Sequence, residues 1–165
     1  MNPNTIPKIV KNLYRKYPKF PDGRIDYSDK KTCAVLTIFV EFNGKILLMQ
    51  RSDKVSTYKG KWMTLAGYYD ELVPIKKKIL EELREELNIG ESNVKTLTVN
   101  KPHKVTDRDI NKEWIIFTSR IILGKSSKIK LDWEHTEYKW VKPQEILNMN
   151  IVPSLIVSLR IVYKD

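Results

Sequence analysis

Apolar positions follow two rhythms along the chain, and the switch between them lays out the elements. From Ile6 to Tyr17 apolar and basic residues alternate with a roughly helical period, which Pro18, Pro21 and Gly23 end. Residues 1–30 are therefore expected to form a helix and loop extension. Thr32 to Phe42 is dense in Val, Ile, Thr and Phe, turns at Asn43-Gly44, and returns through Lys45 to Arg51. Asn-Gly between two such runs is a strong hairpin signal. Ser52 to Lys61 reads as a polar loop, and Trp62 to Ala66 as a third short strand that ends at Gly67. Val94 to Val105 and Trp114 to Leu123 read as strands around a charged turn at Asp107, Arg108 and Asp109, with a further short strand at Tyr138 to Val141. Pro143 to Met149 and Pro153 to Tyr163 read as helices, the second carrying Leu155, Ile156, Leu159 and Val162 at helical spacing. No repeat or low-complexity linker interrupts this order. It predicts one domain over residues 1–165, an α/β/α sandwich around a mixed β-sheet.

The segment Gly67 to Ile89 is the most informative. Pro74 sits near the first turn of a predicted helix, where its missing N–H costs little. Glu82 and Glu86 share a helix side with Ile75 and Ile79, while Glu85 points farther outward. Carboxylates held this close repel one another and are costly to desolvate, so a hard cation such as Mg2+ is a natural neutraliser. The same spacing also fits a solvated helix face of Glu, Lys and Arg.

This segment resembles the Nudix box, G-x5-E-x7-R-E-U-x-E-E-x-G-U, where U is aliphatic. With the box glycine on Gly67, six of nine fixed positions match: Gly67, Glu82, Leu83, Glu85, Glu86 and Ile89. Val73 stands in place of the first glutamate, Glu81 in place of the arginine, and Asn88 in place of the last glycine. Asn88 is a mild change, since Asn is the next best residue for a left-handed helix stop. In the family the arginine helps to orient box carboxylates. Here Lys77, Lys78 or Arg84 is the available substitute.

The resemblance implies a Nudix-type sandwich and a hydrolase dependent on Mg2+, with Mn2+ as an alternative ion. It would cleave the diphosphate linkage of a nucleoside diphosphate derivative, a nucleotide-type small-molecule substrate. By the same resemblance, Glu82, Glu85, Glu86, Glu134 and the Ala66 carbonyl would ligate metal, and Glu85 or Glu134 would accept the proton of the attacking water. Glu134 is chosen because it lies in the loop before a late strand; Glu137 is its local competitor. The departures at Val73 and Glu81 support a competing reading, a catalytically weakened Nudix domain that binds nucleotide or RNA. The isopentenyl diphosphate isomerase branch needs a cysteine placed for protonation, which Cys33 in an early strand does not supply.

Arg51 and Lys61 are candidates for substrate phosphates, Arg through a bidentate fork and Lys as a point charge. His135 reads as a surface residue, and Trp62, Trp114, Trp133, Tyr58 and Tyr68 as aromatics without an assigned base pocket. Cys33, His103 and His135 lack zinc-ligand spacing. A net charge of +10 favours encounter with polyanions. Its basic residues are spread along the chain without a dense tract, so general solvation outweighs dedicated RNA binding. Cys33, the single cysteine, is expected in the core with no internal disulfide. No apolar run approaches the ~18 residues of a membrane span, so the expectation is a soluble cytoplasmic protein without a membrane partner.

Overall fold

The turn at Asn43-Gly44 forms as the sequence demands. Both residues take left-handed φ, 49° and 72°, the conformation that closes a two-residue hairpin and that Asn and Gly adopt at low cost. The computed structural model describes residues 1–163. In chain order its elements are helix α1 (Lys8–Lys16), strands β1 (Thr32–Phe42), β2 (Lys45–Arg51), β3 (Trp62–Met63) and β4 (Leu65–Tyr68), and helix α2 (Ile75–Leu87). Strands β5 (Val94–Val99), β6 (His103–Asp107), β7 (Lys112–Leu123) and β8 (His135–Val141) follow, then helix α3 (Pro153–Val162).

β1 is the spine of the mixed eight-stranded sheet. On one side it pairs in parallel with β7, from Thr32 opposite Glu113 to Glu41 opposite Ile122. On the other it pairs with β4 through Val35–Ile38 and with β2 at Glu41 and Phe42. β3 and β8 both pair with β2, and β5 and β6 both pair with β7. Strand alternation then sorts the core into two layers. Leu36, Ile38 and Leu47 meet Ile75, Ile79, Leu83 and Leu87 of α2, together with Val10 and Leu13 of α1. Phe39, Ile46 and Leu48 meet Leu155 and Leu159 of α3. Cys33 is buried with a free thiol, and burial raises its pKa, which leaves it inert.

Several boundaries differ from those expected. The predicted strand Trp62 to Ala66 is two strands, because at Thr64 the chain leaves β2 and joins β1. The buried Thr64 hydroxyl spans the crossing by donating to the Ile38 carbonyl at 2.6 Å. β4 also continues through Gly67 to Tyr68. The predicted strand Val94 to Val105 is cut at Asn100–Pro102, where Pro102 has no N–H for a ladder, and its halves pair with different stretches of β7. β8 begins at His135, three residues before the expected Tyr138. The helix expected at Pro143 to Met149 is a 3₁₀ turn over Pro143–Asn148. Among the described residues no helix is long and apolar enough to cross a membrane.

Candidate active site

The site is built where α2 crosses β4. A Cβ added at Gly67 would lie less than 3.0 Å from the Glu82 carboxyl group. Only glycine lets this carboxylate rest on the strand backbone. The adjoining register frees a main-chain acceptor. The Tyr69 N–H donates to the Ala34 carbonyl at 2.9 Å, so Ala66, paired with Thr37, falls in a non-hydrogen-bonded pair with its carbonyl directed away from β1. At its far end α2 stops on Asn88, whose φ of 56° and ψ of 35° are the left-handed cap expected there.

Glu82 is held by Lys78, one turn earlier on α2. The buried Lys78 Nζ lies 3.5 Å from Glu82 Oε1, 3.1 Å from Asp70 Oδ1 and 3.5 Å from Glu71 Oε2. Burial alone would lower the Lys78 pKa, but Asp70 and Glu82 outweigh it and raise the pKa. This arrangement accounts for both main departures from the box. Val73 and Glu81 stand eight residues apart, as the box glutamate and arginine do, and so do Asp70 and Lys78, each three residues earlier. The opposite-charge pair is therefore present, shifted by nearly a helical turn. Glu81 itself turns outward to Lys77 at 3.7 Å.

Glu86 lies one turn beyond Glu82 and is also buried. Its Oε2 has no hydrogen-bond partner among the described residues. Burial raises its pKa well above the usual carboxylate range, and the negative charges of Glu82, Glu134 and Asp132 add to this. The Glu82 carboxyl is pushed up to about 7, chiefly by burial; Lys78 opposes the rise, and Glu85 and Asp70 add to it. Two such carboxylates side by side, with a free carboxylate oxygen and an all-oxygen donor set, fit a hard divalent cation rather than zinc. Glu85 is exposed on the outer side of the helix, near enough to act on Glu82. As they stand, no three acidic, histidine or cysteine side chains among the described residues enclose an ion.

The loop before β8 closes the site. Glu134 is half-buried, its carbonyl accepts from the Ser52 N–H at 2.7 Å, and its charge bears on Glu86 and Arg51. Its competitor Glu137 is exposed and pairs with Lys139. The expectation of a surface His135 is overturned. The residue is buried, with Nδ1 3.1 Å from Asp132 Oδ1 and 4.0 Å from Glu86 Oε2. Burial lowers its pKa against the opposing pull of Asp132 and so favours the neutral imidazole, which the Asp132 carboxylate orients. Arg51 is half-buried beside Glu134 and Glu86, and its Nε–H donates to the Thr57 carbonyl at 2.9 Å. Lys61, the other phosphate candidate, is turned to Asn150 Oδ1 at 3.0 Å and does not join the group. Asp70, Asp132 and His135 are the members that sequence reading missed. The spacing Asp132–His135 and the match of Asp70 to Lys78 were the available signals.

The NUDIX domain family model matches residues 30–158. The chain belongs to the Nudix family. It is 24% identical over 131 residues to the nucleoside triphosphatase NudI of Escherichia coli O17:K52:H18, a match covering 74% of this chain and 90% of that protein. Its fold is like that of a MutT protein from Methanosarcina mazei Go1, with a TM-score of 0.62, 23% identity, and coverage of 80% of this chain and 93% of that one. It is also like a MutT Nudix hydrolase from Burkholderia pseudomallei, with a TM-score of 0.64, 19% identity, and coverage of 81% and 100%. As a Nudix member the protein is a pyrophosphohydrolase.

Two outcomes follow from this geometry. Gly67→Ala is expected to destabilise the fold by about 2 kcal/mol, the usual scale for overpacking, with part of the loss recovered in Gly67→Ala/Glu82→Ala. Denaturant unfolding of the two single variants and the double checks this, and strictly additive losses would contradict it. The second outcome concerns pH. A carboxyl whose native pKa is raised from 4.5 to about 7 retains a proton that the unfolded chain has released. Its contribution is fully present below pH 4.5 and is lost as pH rises through about 7. Metal-free wild-type protein should therefore lose more thermal stability between pH 5 and pH 8 than Glu86→Gln does, and equal slopes would refute the coupling.

Proposed function

We propose that the protein is a divalent-metal-dependent hydrolase of nucleoside diphosphate derivatives, with Mg2+ as the working ion and Mn2+ as a substitute. One observation carries this reading: Glu86, buried and without a hydrogen-bond partner at Oε2 among the described residues, lies one turn from a Glu82 carboxylate that Lys78 fixes on the backbone at Gly67. A structural helix face gains nothing from two buried carboxylates that repel each other.

Each residue has a distinct task. Glu82, Glu86 and the Ala66 carbonyl would hold the cation, with Glu85 and Glu134 completing the set as their side chains turn inward. A divalent ion there would neutralise a diphosphate and acidify a bound water. Arg51 offers its guanidinium to a phosphate, and its bond to Thr57 fixes that group in place. Glu85 or Glu134 takes the proton from the attacking water. Lys78 acts on none of the reacting atoms; it keeps Glu82 aimed. The positive chain steers anionic substrates toward the cleft. Because Lys78 and Asp70 supply the pairing that Val73 and Glu81 lack, those two departures give no support to a domain that only binds.

A hydrolysis screen with Mg2+ over nucleoside triphosphates and their oxidised forms, ADP-ribose, dinucleoside polyphosphates and 5′-capped RNA tests the reading. At least one should be cleaved at a diphosphate linkage, and Glu86→Gln should lower kcat on it by about a hundredfold, the usual scale for loss of an essential ligand. Binding without turnover at tens of millimolar Mg2+ would overturn the enzyme reading. In the same assay Lys78→Met should raise the Mg2+ concentration for half-maximal rate several-fold, and Lys78→Arg should restore it, as expected for a charge-assisted pair worth about 1 kcal/mol. An unchanged Mg2+ requirement in Lys78→Met would remove Lys78 from the site.

A further inference from the structure

Residues 1–29 precede the stretch that matches the family, yet they touch the helix of the site and its charges at three places. The first is the start of α2. A helix leaves its first four N–H groups without partners of its own, and Pro74 at the cap offers no side-chain acceptor. The N-terminal segment supplies main-chain acceptors instead: the Ile75 N–H donates to the Thr5 carbonyl at 3.2 Å and the Lys76 N–H to the Pro3 carbonyl at 2.9 Å. This strap is shaped by a turn in which the Asn4 N–H donates to Asn2 Oδ1 at 2.9 Å and the Thr5 hydroxyl to the Asn2 carbonyl at 3.0 Å. The second place is the buried face of α2, where Val10 and Leu13 of α1 join Ile75, Ile79 and Leu83 in the core. The third is the loop that leads into α2. The Ile25 N–H donates to the Asp70 carbonyl at 2.7 Å, and the buried Tyr27 hydroxyl donates to the Tyr69 carbonyl at 3.1 Å. Arg24 Nη1 lies 3.7 Å from Asp70 Oδ2, and its Nε–H donates to Asp22 at 2.8 Å, which steadies the guanidinium. Asp70 in turn meets Lys78 at 3.1 Å, and Lys78 meets Glu82 at 3.5 Å. Charges thus alternate from Asp22 through Arg24, Asp70 and Lys78 to Glu82.

We propose that residues 1–29 are a positioning element for the cation site: the strap of Pro3 and Thr5 sets where α2 begins, and Arg24 with Ile25 holds Asp70 against Lys78. The inference rests on the metal-dependent reading and adds what keeps its carboxylates in register. Glu82 and Glu86 lie about two and about three turns beyond Ile75, so a displacement of the first turn is carried along the helix to both. Carboxylates that hold a cation depend on the groups that orient them. Lys78 divides its donors between Asp70 and Glu82, and fixing Asp70 from its far side fixes where Lys78 rests. The extension acts through α2 and Asp70, so its members are positioning residues rather than catalytic ones.

Amide hydrogen exchange at Ile75 and Lys76, calorimetric titration with Mn2+ and the urea midpoint, all measured on the whole chain prepared metal-free, test this together. Asn2→Ala/Thr5→Ala, which opens the turn of the strap, should speed exchange at both amides several-fold and weaken Mn2+ binding several-fold. Arg24→Met should weaken Mn2+ binding with exchange at those amides unchanged, and Arg24→Lys, which keeps the charge, should restore most of the affinity. Arg24 is exposed, so neither change at this position endangers folding. A urea midpoint that falls in these variants while Mn2+ affinity keeps its wild-type value would make the extension a stabilising segment only and overturn the proposal. Unchanged exchange at Ile75 and Lys76 in Asn2→Ala/Thr5→Ala would overturn the strap. A wild type that binds no Mn2+, with exchange responding as expected, would remove the metal reading and leave the hold of the strap on α2 standing.

Discussion

Two carboxylates one helical turn apart, Glu82 and Glu86, are buried where α2 crosses β4, and the cost of keeping them there shapes what surrounds them. Glu82 can lie on the strand only because position 67 has no side chain. Lys78, buried beside it, opposes the protonation that burial favours. Glu86 has less support: a neutral His135 at 4.0 Å and an oxygen without a partner among the described residues. On the proposed reading, that imbalance is why a cation would settle here rather than elsewhere along α2.

The relocated pair shows how the site tolerates change. With Val73 in place of the box glutamate and Glu81 in place of the arginine the box lacks its opposite-charge pair, and Asp70 with Lys78 supplies one at the same eight-residue separation. Lysine is a point charge without the fork of arginine. It therefore serves several carboxylates at 3.1–3.5 Å instead of clasping one. Arg51 keeps the fork that lysine lacks, and its charge bears on Glu134 and Glu86.

Much of the fold was legible because its signals are local. The Asn43-Gly44 turn, the apolar stripe of α2 and the Asn88 stop are each set by neighbouring residues, and all formed as read. The breaks at Thr64 and Asn100–Pro102 were not legible, since they depend on which distant strand the chain joins next. The site divides in the same way. Glu82 and Glu86 were read from helix spacing, and Lys78 was one of three basic residues, with Lys77 and Arg84, offered as a partner for the box carboxylates. Lys61 was misplaced, because adjacency to Arg51 along the chain does not tell which side chain Asn150 will capture. His135 was taken for a surface residue because the sequence does not show that its ring comes to lie beside Glu86 of α2, far away along the chain.

The central claim is that Glu82 and Glu86 form the floor of a divalent-cation site. Anomalous diffraction from crystals soaked in Mn2+ tests it most directly. A single strong peak within about 2.5 Å of oxygens from both carboxylates, the range for a hard cation, lost in crystals of Glu86→Gln, is the result this account predicts. A peak that avoids both side chains, or no peak near α2 while Glu82 and Glu86 remain buried, would contradict it.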